Sequence, residues 1–181
     1  VSNAKKILEN KELANIVSAL GCGVGDNIKL DKLRYGKIVI LTDADADGMH
    51  ISTLLLAFFF SQMRTLIENG RIYLGKPPLY GVFPKAKSKE AYWVYSDTEL
   101  DQILQEHKLV SPRIVRYKGL GEMNPDTLWD TTLDPAKRTL LRVTMSNAEE
   151  VLESLINLMG TDSSSRTSLI QEYADKLQID I

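Results

Sequence analysis

The sequence predicts an α/β fold: a parallel sheet flanked by helices, followed by a smaller α+β region. Three observations carry this. "KIVIL" (Lys37–Leu41) is a continuous run dominated by β-branched residues, as expected of a strand buried on both faces. Met49–Asn69 holds a long helical pattern closed by Gly70, and "RIYL" (Arg71–Leu74) reads as the next strand. Strand, helix, strand at that spacing is a βαβ unit, which normally crosses over right-handed.

Upstream of the unit, "NKELANIVSALG" places Leu13, Ile16, Val17 and Leu20 on one helical face, and Gly21 supplies the stop. "GCGVGDN" follows a helix rather than a strand. It lacks the Gly-x-Gly-x-x-Gly spacing and the lysine of a phosphate loop, so it reads as a flexible turn. Downstream, "GKPPLYGVF" is an extended segment interrupted by its prolines. The texture changes near Lys85. "AKSKEAYWVYS" looks like the second half of an exposed hairpin, and "SDTELDQILQEH" opens with a serine cap and acids in the first helical turn. "RIVRY" and "RTLLRV" are strand-like, separated by "KGLGEMNPDTLWDTTLDP", a loop leading to a short helix. From Asn147 the pattern is two amphipathic helices around the polar turn "GTDSSS". Three segments result: 1–84, a connecting hairpin and helix at 85–112, and a tail at 113–181.

Composition narrows the function. The chain has 181 residues, enough for one core with a smaller appendage. Its 22 basic and 24 acidic side chains exclude a uniformly basic nucleic-acid binder but leave room for a local basic patch. A single cysteine, Cys22, cannot form an internal disulfide, which points to a reducing, cytoplasmic setting and a small buried residue. "LLLAFFF" (Leu54–Phe60) is far short of the ~18 apolar residues of a membrane span and reads as a buried helix; no membrane partner is expected. The opening "VSNAKKILEN" is polar, without the apolar stretch of a secretory leader, and starts without methionine, which suggests a fragment of a longer polypeptide.

The chemistry concentrates in "LTDADADGMH" (Leu41–His50). Side chains two apart on a strand share a face, so at least two of Asp43, Asp45 and Asp47 should converge at the strand end, with Gly48 permitting a tight turn into the helix. In open α/β sheets that is where ligands bind. An acidic helix N-terminus accounts for one of these carboxylates, or two. Three in alternate positions repel one another unless a hard cation sits among them, and Mg²⁺ is typically held by one or two carboxylates with water and phosphate completing the shell. A calcium loop requires glutamate at its twelfth position, which here is Leu54. The residues therefore indicate a Mg²⁺-dependent domain acting on a phosphate-bearing substrate.

"LTDADADGMHISTLLLAFFF", "GRIYLGKPPLYGV" and "RYKGLGEMNPDTLWDTTLDPAKRTLLRV" together resemble the B subunit of bacterial type IIA DNA topoisomerases, in the family's order and over nearly the whole chain. "LRYGKI" and "DADADGMHI" lean toward the topoisomerase IV subunit rather than the gyrase one. The resemblance implies a Toprim-type, Rossmann-like sheet in 1–84 and a gyrase-B-type tail in 113–181. It implies that Asp43 bridges two Mg²⁺ sites, that Asp45 serves the second, and that Asp47 completes the motif; Mn²⁺ or Ca²⁺ would substitute. It places His50, Arg116 and Lys118 beside double-stranded DNA, and makes Pro77, Pro78 and Leu79 structural. Glu122 would cap or orient its loop. Tyr35, Tyr80, Tyr92 and Tyr117 read as packing residues, since the nucleophilic tyrosine belongs to the partner A subunit in a heterotetramer of two A and two B subunits. The family's first Toprim strand ends in a catalytic Glu-Gly that has no match here, and its ATP-binding part lies further upstream. The expectation is that this polypeptide alone does not cleave DNA. Two rivals are a non-catalytic docking module whose acids merely shape a surface and a Toprim nuclease or primase; the latter families share the aspartates but neither "PPLY" nor "KGLGEM".

Overall fold

A computed structural model describes residues 9–43, 45–85, 88, 90–146, 150 and 153. The predicted pair of C-terminal helices lies outside the described residues.

The βαβ unit forms as expected. Strand β1 (Ile38–Ile40) pairs in parallel with β2 (Ile72–Gly75), with Ile38 opposite Ile72 and Ile40 opposite Leu74. The sheet is not purely parallel. Its third strand, β6 (Leu140–Arg142), joins the free edge of β2 antiparallel, Tyr73 opposite Arg142, giving the order β1-β2-β6. An uncovered β2 edge would expose a row of unpaired N–H and C=O groups, and the returning chain satisfies them.

Before the sheet, helix α1 (Lys11–Leu20) starts at Asn10, whose side chain accepts from the Glu12 and Leu13 amides. It ends at Gly21, whose φ of 72° is the left-handed conformation that suits glycine. Its predicted face, Leu13, Ile16, Val17 and Leu20, packs on the main core. Cys22 is free and buried in that core, and burial pushes its thiol up.

The expected single helix over Met49–Asn69 is two. Helix α2 (Ala46–Gln62) begins three residues early because Asp45 caps it, and α3 (Arg64–Glu68) follows a break at Met63. Met63 leaves helical geometry at φ −137° although its N–H still donates to the Phe59 carbonyl, and neither glycine nor proline forces the break. Leu56, Phe59, Met63, Leu66 and Ile67 recur at three- and four-residue steps on the buried side, against Ile40 and Ile72 of the sheet. "LLLAFFF" is therefore buried along one stripe only, since Leu54 remains 45% exposed.

A second sheet, ordered β4-β3-β5, is antiparallel throughout. Its centre, β3 (Tyr80–Phe83), pairs with β4 (Tyr92–Val94) as the anticipated hairpin and with β5 (Arg113–Arg116) on its other edge. Helix α4 (Asp97–Glu106), capped by Ser96, lays Leu100, Ile103 and Leu104 on Tyr80, Val82 and Val94. Sheet pairing thus crosses the segment limits drawn from sequence: β3 lies within 1–84 yet belongs to the second sheet, and β6 lies within 113–181 yet closes the first. Among the described residues no helix is long and apolar enough to cross a membrane.

Candidate metal and nucleic-acid site

Strand β1 stops at Ile40, so Thr42 and Asp43 already lie in the turn that leads into α2. The alternation argument for converging aspartates fails on that point, because the side chains of Asp43, Asp45 and Asp47 do not stand on one pleated face. The turn assembles them instead. Asp43, Asp45 and Asp47 line a single cleft with Leu41, Thr42, Gly48, Ile51 and Leu120.

Each aspartate has a different local task. Asp45 is the N-cap of α2: its Oδ1 accepts from the Gly48 amide at 2.7 Å. Asp47 sits in the first helical turn, where the dipole favours a carboxylate. The helix N-terminus therefore does account for two of the three. Asp43 is different. Its Oδ1 accepts from the backbone amide of Leu120, 77 residues away in sequence, at 2.8 Å. The turn is close enough that a Cβ on Gly48 would stand 2.1 Å from the Asp43 carbonyl oxygen, so only glycine fits.

The loop that meets Asp43 is "KGLGEM". The glycines around Leu120 suggest close backbone approach, and this holds for one of them. A Cβ on Gly119 would stand 3.1 Å from the Asp43 carboxyl carbon and 3.2 and 3.3 Å from its two oxygens, whereas Gly121 has open space. Glu122 orients the loop as expected: its Oε2 accepts from the Lys118 amide at 2.7 Å. At the root of the loop, the Tyr117 amide donates to the Leu79 carbonyl at 2.8 Å, tying it to "PPLY". The acidic turn, "PPLY" and "KGLGEM" are thus linked by hydrogen bonds from backbone amides, to the Asp43 carboxylate in one case and to the Leu79 carbonyl in the other, a juxtaposition that no spacing in the sequence discloses.

The basic candidates are spread more widely. Lys118 is exposed on the loop that carries Leu120. Arg116 is exposed on β5, its guanidinium 5.9 Å from the centre of the Tyr80 ring. His50 is exposed on α2, and none of His50, Arg116 and Lys118 lines the acidic cleft. Thr42 and Ile51, which do line it, carry no chemical signal that sequence reading could use. Among the tyrosines, Tyr80 donates to Asp97, Tyr92 stacks on His107 and Tyr117 packs near Trp93. Tyr35 is 51% exposed and is not a packing residue.

The donor set suits a hard divalent cation in an open site. The three carboxylates offer oxygen alone, and among the described residues none of them makes an ion pair within 4.0 Å. Among the described residues, no three acidic, histidine or cysteine side chains stand close enough together to hold a metal ion by themselves. A Mg²⁺ ion held there would need water and phosphate to complete its shell.

Comparison with known proteins identifies the family. Residues 2–77 match the Toprim domain, and residues 110–171 match the family described as DNA gyrase B subunit, carboxyl terminus. The chain carries the Toprim and gyrase-B carboxyl-terminal regions of a type IIA topoisomerase B subunit. Its relatives include the gyrase B protein of Thermotoga maritima, 47% identical over 177 residues, which cover 98% of this chain and 27% of that protein. The gyrase B protein of Halalkalibacterium halodurans is 49% identical over 170 residues, 93% of this chain and 26% of its own length. That of Archaeoglobus fulgidus is 44% identical over 173 residues, 96% and 27% respectively. This Toprim chain therefore spans about a quarter of the length of the curated relatives it matches. All three are gyrase proteins, and the lean toward topoisomerase IV finds no support among them. The contact from Leu120 to Asp43 joins the gyrase-B carboxyl-terminal region to the Toprim domain.

Proposed function

We propose that this chain is the Mg²⁺-binding part of the DNA cleavage and religation core of an ATP-dependent type IIA topoisomerase, which passes one duplex through a transient double-strand break in another. The observation that carries the reading is the Asp43 carboxylate, held by the Leu120 amide in a cleft that Asp45 and Asp47 also line. That hydrogen bond uses one oxygen and leaves the second for a metal, so Asp43 acts as ligand while the gyrase-B-type region orients it. Asp45 and Asp47, which line the same cleft, would add oxygens to the ion's shell, directly or through water.

A bound divalent ion would offset negative charge on the scissile phosphate and on the leaving 3′-oxygen. Lys118, on the same loop, would contact the DNA backbone without reading bases, and Arg116 and His50 would add further contacts to the duplex. Catalysis also requires groups from outside this chain: the A subunit's tyrosine as nucleophile, the Toprim glutamate, and the ATP-binding region. The full assembly is a heterotetramer of two A and two B subunits. "LRYGKI" and "DADADGMHI" favour topoisomerase IV and the named relatives favour gyrase; negative supercoiling of relaxed circles by the reconstituted enzyme separates the two.

The test is Asp43→Asn in the complete B subunit. It is expected to abolish Mg²⁺-dependent cleavage while A-subunit association persists. In parallel, Mn²⁺ titration of the wild type against Asp43→Asn/Asp45→Asn should show weaker uptake by the variant. Ordinary cleavage by Asp43→Asn overturns the assignment, and an unchanged Mn²⁺ titration supports a docking module whose acids only shape a surface.

A further inference from the structure

Glu122 is the sole acid of the Lys118–Met123 loop, and its side chain is committed to the loop's own backbone. The loop has two roots. The Tyr117 amide donates to the Leu79 carbonyl at 2.8 Å, and at the far end the Met123 side chain is buried. Between them the chain closes on itself twice: the Glu122 amide donates to the Gly119 carbonyl and the Met123 amide to that of Leu120, each at 3.2 Å. Those two bonds shape the second half of the loop only. The first half, from Lys118 to the Leu120 amide that meets Asp43, is braced by the Glu122 carboxylate at 2.7 Å.

We infer that Glu122 is a positioning residue for Asp43. Its carboxylate holds the Lys118 amide and so fixes the backbone through Gly119 to Leu120. That backbone in turn presents one N–H to Asp43 Oδ1 and leaves Oδ2 available. A hydrogen bond to an ionised acceptor is about twice as strong as a neutral one, which is what an exposed loop needs to keep a single shape in competition with water. The bland alternative is a loop acid that closes its own turn and affects nothing beyond it. The contact from Leu120 to Asp43 makes the two separable. The consequence for metal rests on the reading of Asp43 as a ligand, whereas the positioning itself does not.

Two conservative variants of the full chain decide the matter. Glu122→Gln keeps an oxygen acceptor at the same reach and loses the charge. Glu122→Asp keeps the charge and is one methylene too short to reach the Lys118 amide. Both sit at an exposed position, so folding is preserved. The readouts are hydrogen exchange at the Leu120 amide and Mn²⁺ titration. Glu122→Asp is expected to speed Leu120 exchange about tenfold, the equivalent of one charge-assisted hydrogen bond, and to weaken Mn²⁺ binding several-fold; Glu122→Gln, which keeps the bond without its charge, falls between Glu122→Asp and the wild type. Unchanged Leu120 exchange in Glu122→Asp overturns the inference. So does a Glu122→Gln protein that exchanges faster than Glu122→Asp, because a side chain that still reaches the Lys118 amide would then brace it less than one that does not. A wild type that takes up no Mn²⁺ refutes the metal assignment alone, and Leu120 exchange still decides the positioning.

Discussion

Gly119→Ala isolates the contact between the two motifs. The backbone there is extended, φ −149° and ψ 163°, and accommodates alanine without strain. Losing a glycine also reduces the freedom of the unfolded chain, worth about 0.4–1 kcal/mol in favour of the fold. The opposing effect is local. The new Cβ would lie 3.1 Å from the Asp43 carboxyl carbon, against a comfortable separation of about 3.5–4.0 Å between carbons. The carboxylate must therefore retreat by a few tenths of an ångström. The Leu120 hydrogen bond, now 2.8 Å, would stretch to the edge of the usual range. Forfeiting half of a bond to an ionised group costs about 1 kcal/mol, or roughly fivefold in an equilibrium constant. Thermal stability should hence stay within about 1 kcal/mol of the wild type, while Mn²⁺ affinity falls about three- to tenfold. Gly121→Ala is the control, because its Cβ meets nothing within 4 Å. Parallel melting curves and Mn²⁺ titrations of the three proteins provide the comparison. Equal Mn²⁺ affinity in Gly119→Ala and Gly121→Ala would show that the loop does not govern Asp43.

Gly48→Ala is expected to be much more damaging to the fold, since its Cβ would meet the Asp43 carbonyl oxygen at 2.1 Å and no side-chain rotation relieves a clash with backbone. A loss of about 1–3 kcal/mol, the range for forced overpacking, should appear as a lower denaturation midpoint; an unshifted midpoint contradicts the tight-turn account. Stability should also decline in alkali. The hydrogen bond to Asp97, followed by burial, pushes the Tyr80 phenol up, and burial does the same for Tyr95 and Tyr117. The folded state then binds these protons more tightly than the unfolded chain. Their contribution is complete below the ordinary phenol value of about 10 and disappears as pH rises through the raised folded values. Tyr80→Phe should flatten that decline in denaturant titrations between about pH 10 and pH 12, and an unchanged slope would contradict the assigned cause.

Local pattern was a reliable guide wherever a single element decides its own form. The β-branched run at Lys37–Leu41 became a strand, Asn10 and Gly21 bounded their helix, and Ser96 capped the one it opens. The acidic turn was legible too, as a concentration of charge that apolar packing could not explain. Its geometry was not. Three carboxylates in alternate positions suggested a strand face, yet the strand ends before them, and an N-cap and a helical first turn dispose of two. What singles out Asp43 is an amide 77 residues downstream.

Element type, caps and the identity of the acidic cluster follow from the amino-acid order alone, because each depends on neighbours within a turn or two. The tertiary structure alone decided that β6 returns to close the first sheet, that β3 leaves it for the second, and that the 118–122 loop comes to rest on Asp43. The reason is physical: each pairing uses backbone amides, which every residue but proline carries alike, so the side-chain sequence holds no local record of which distant acceptor they find.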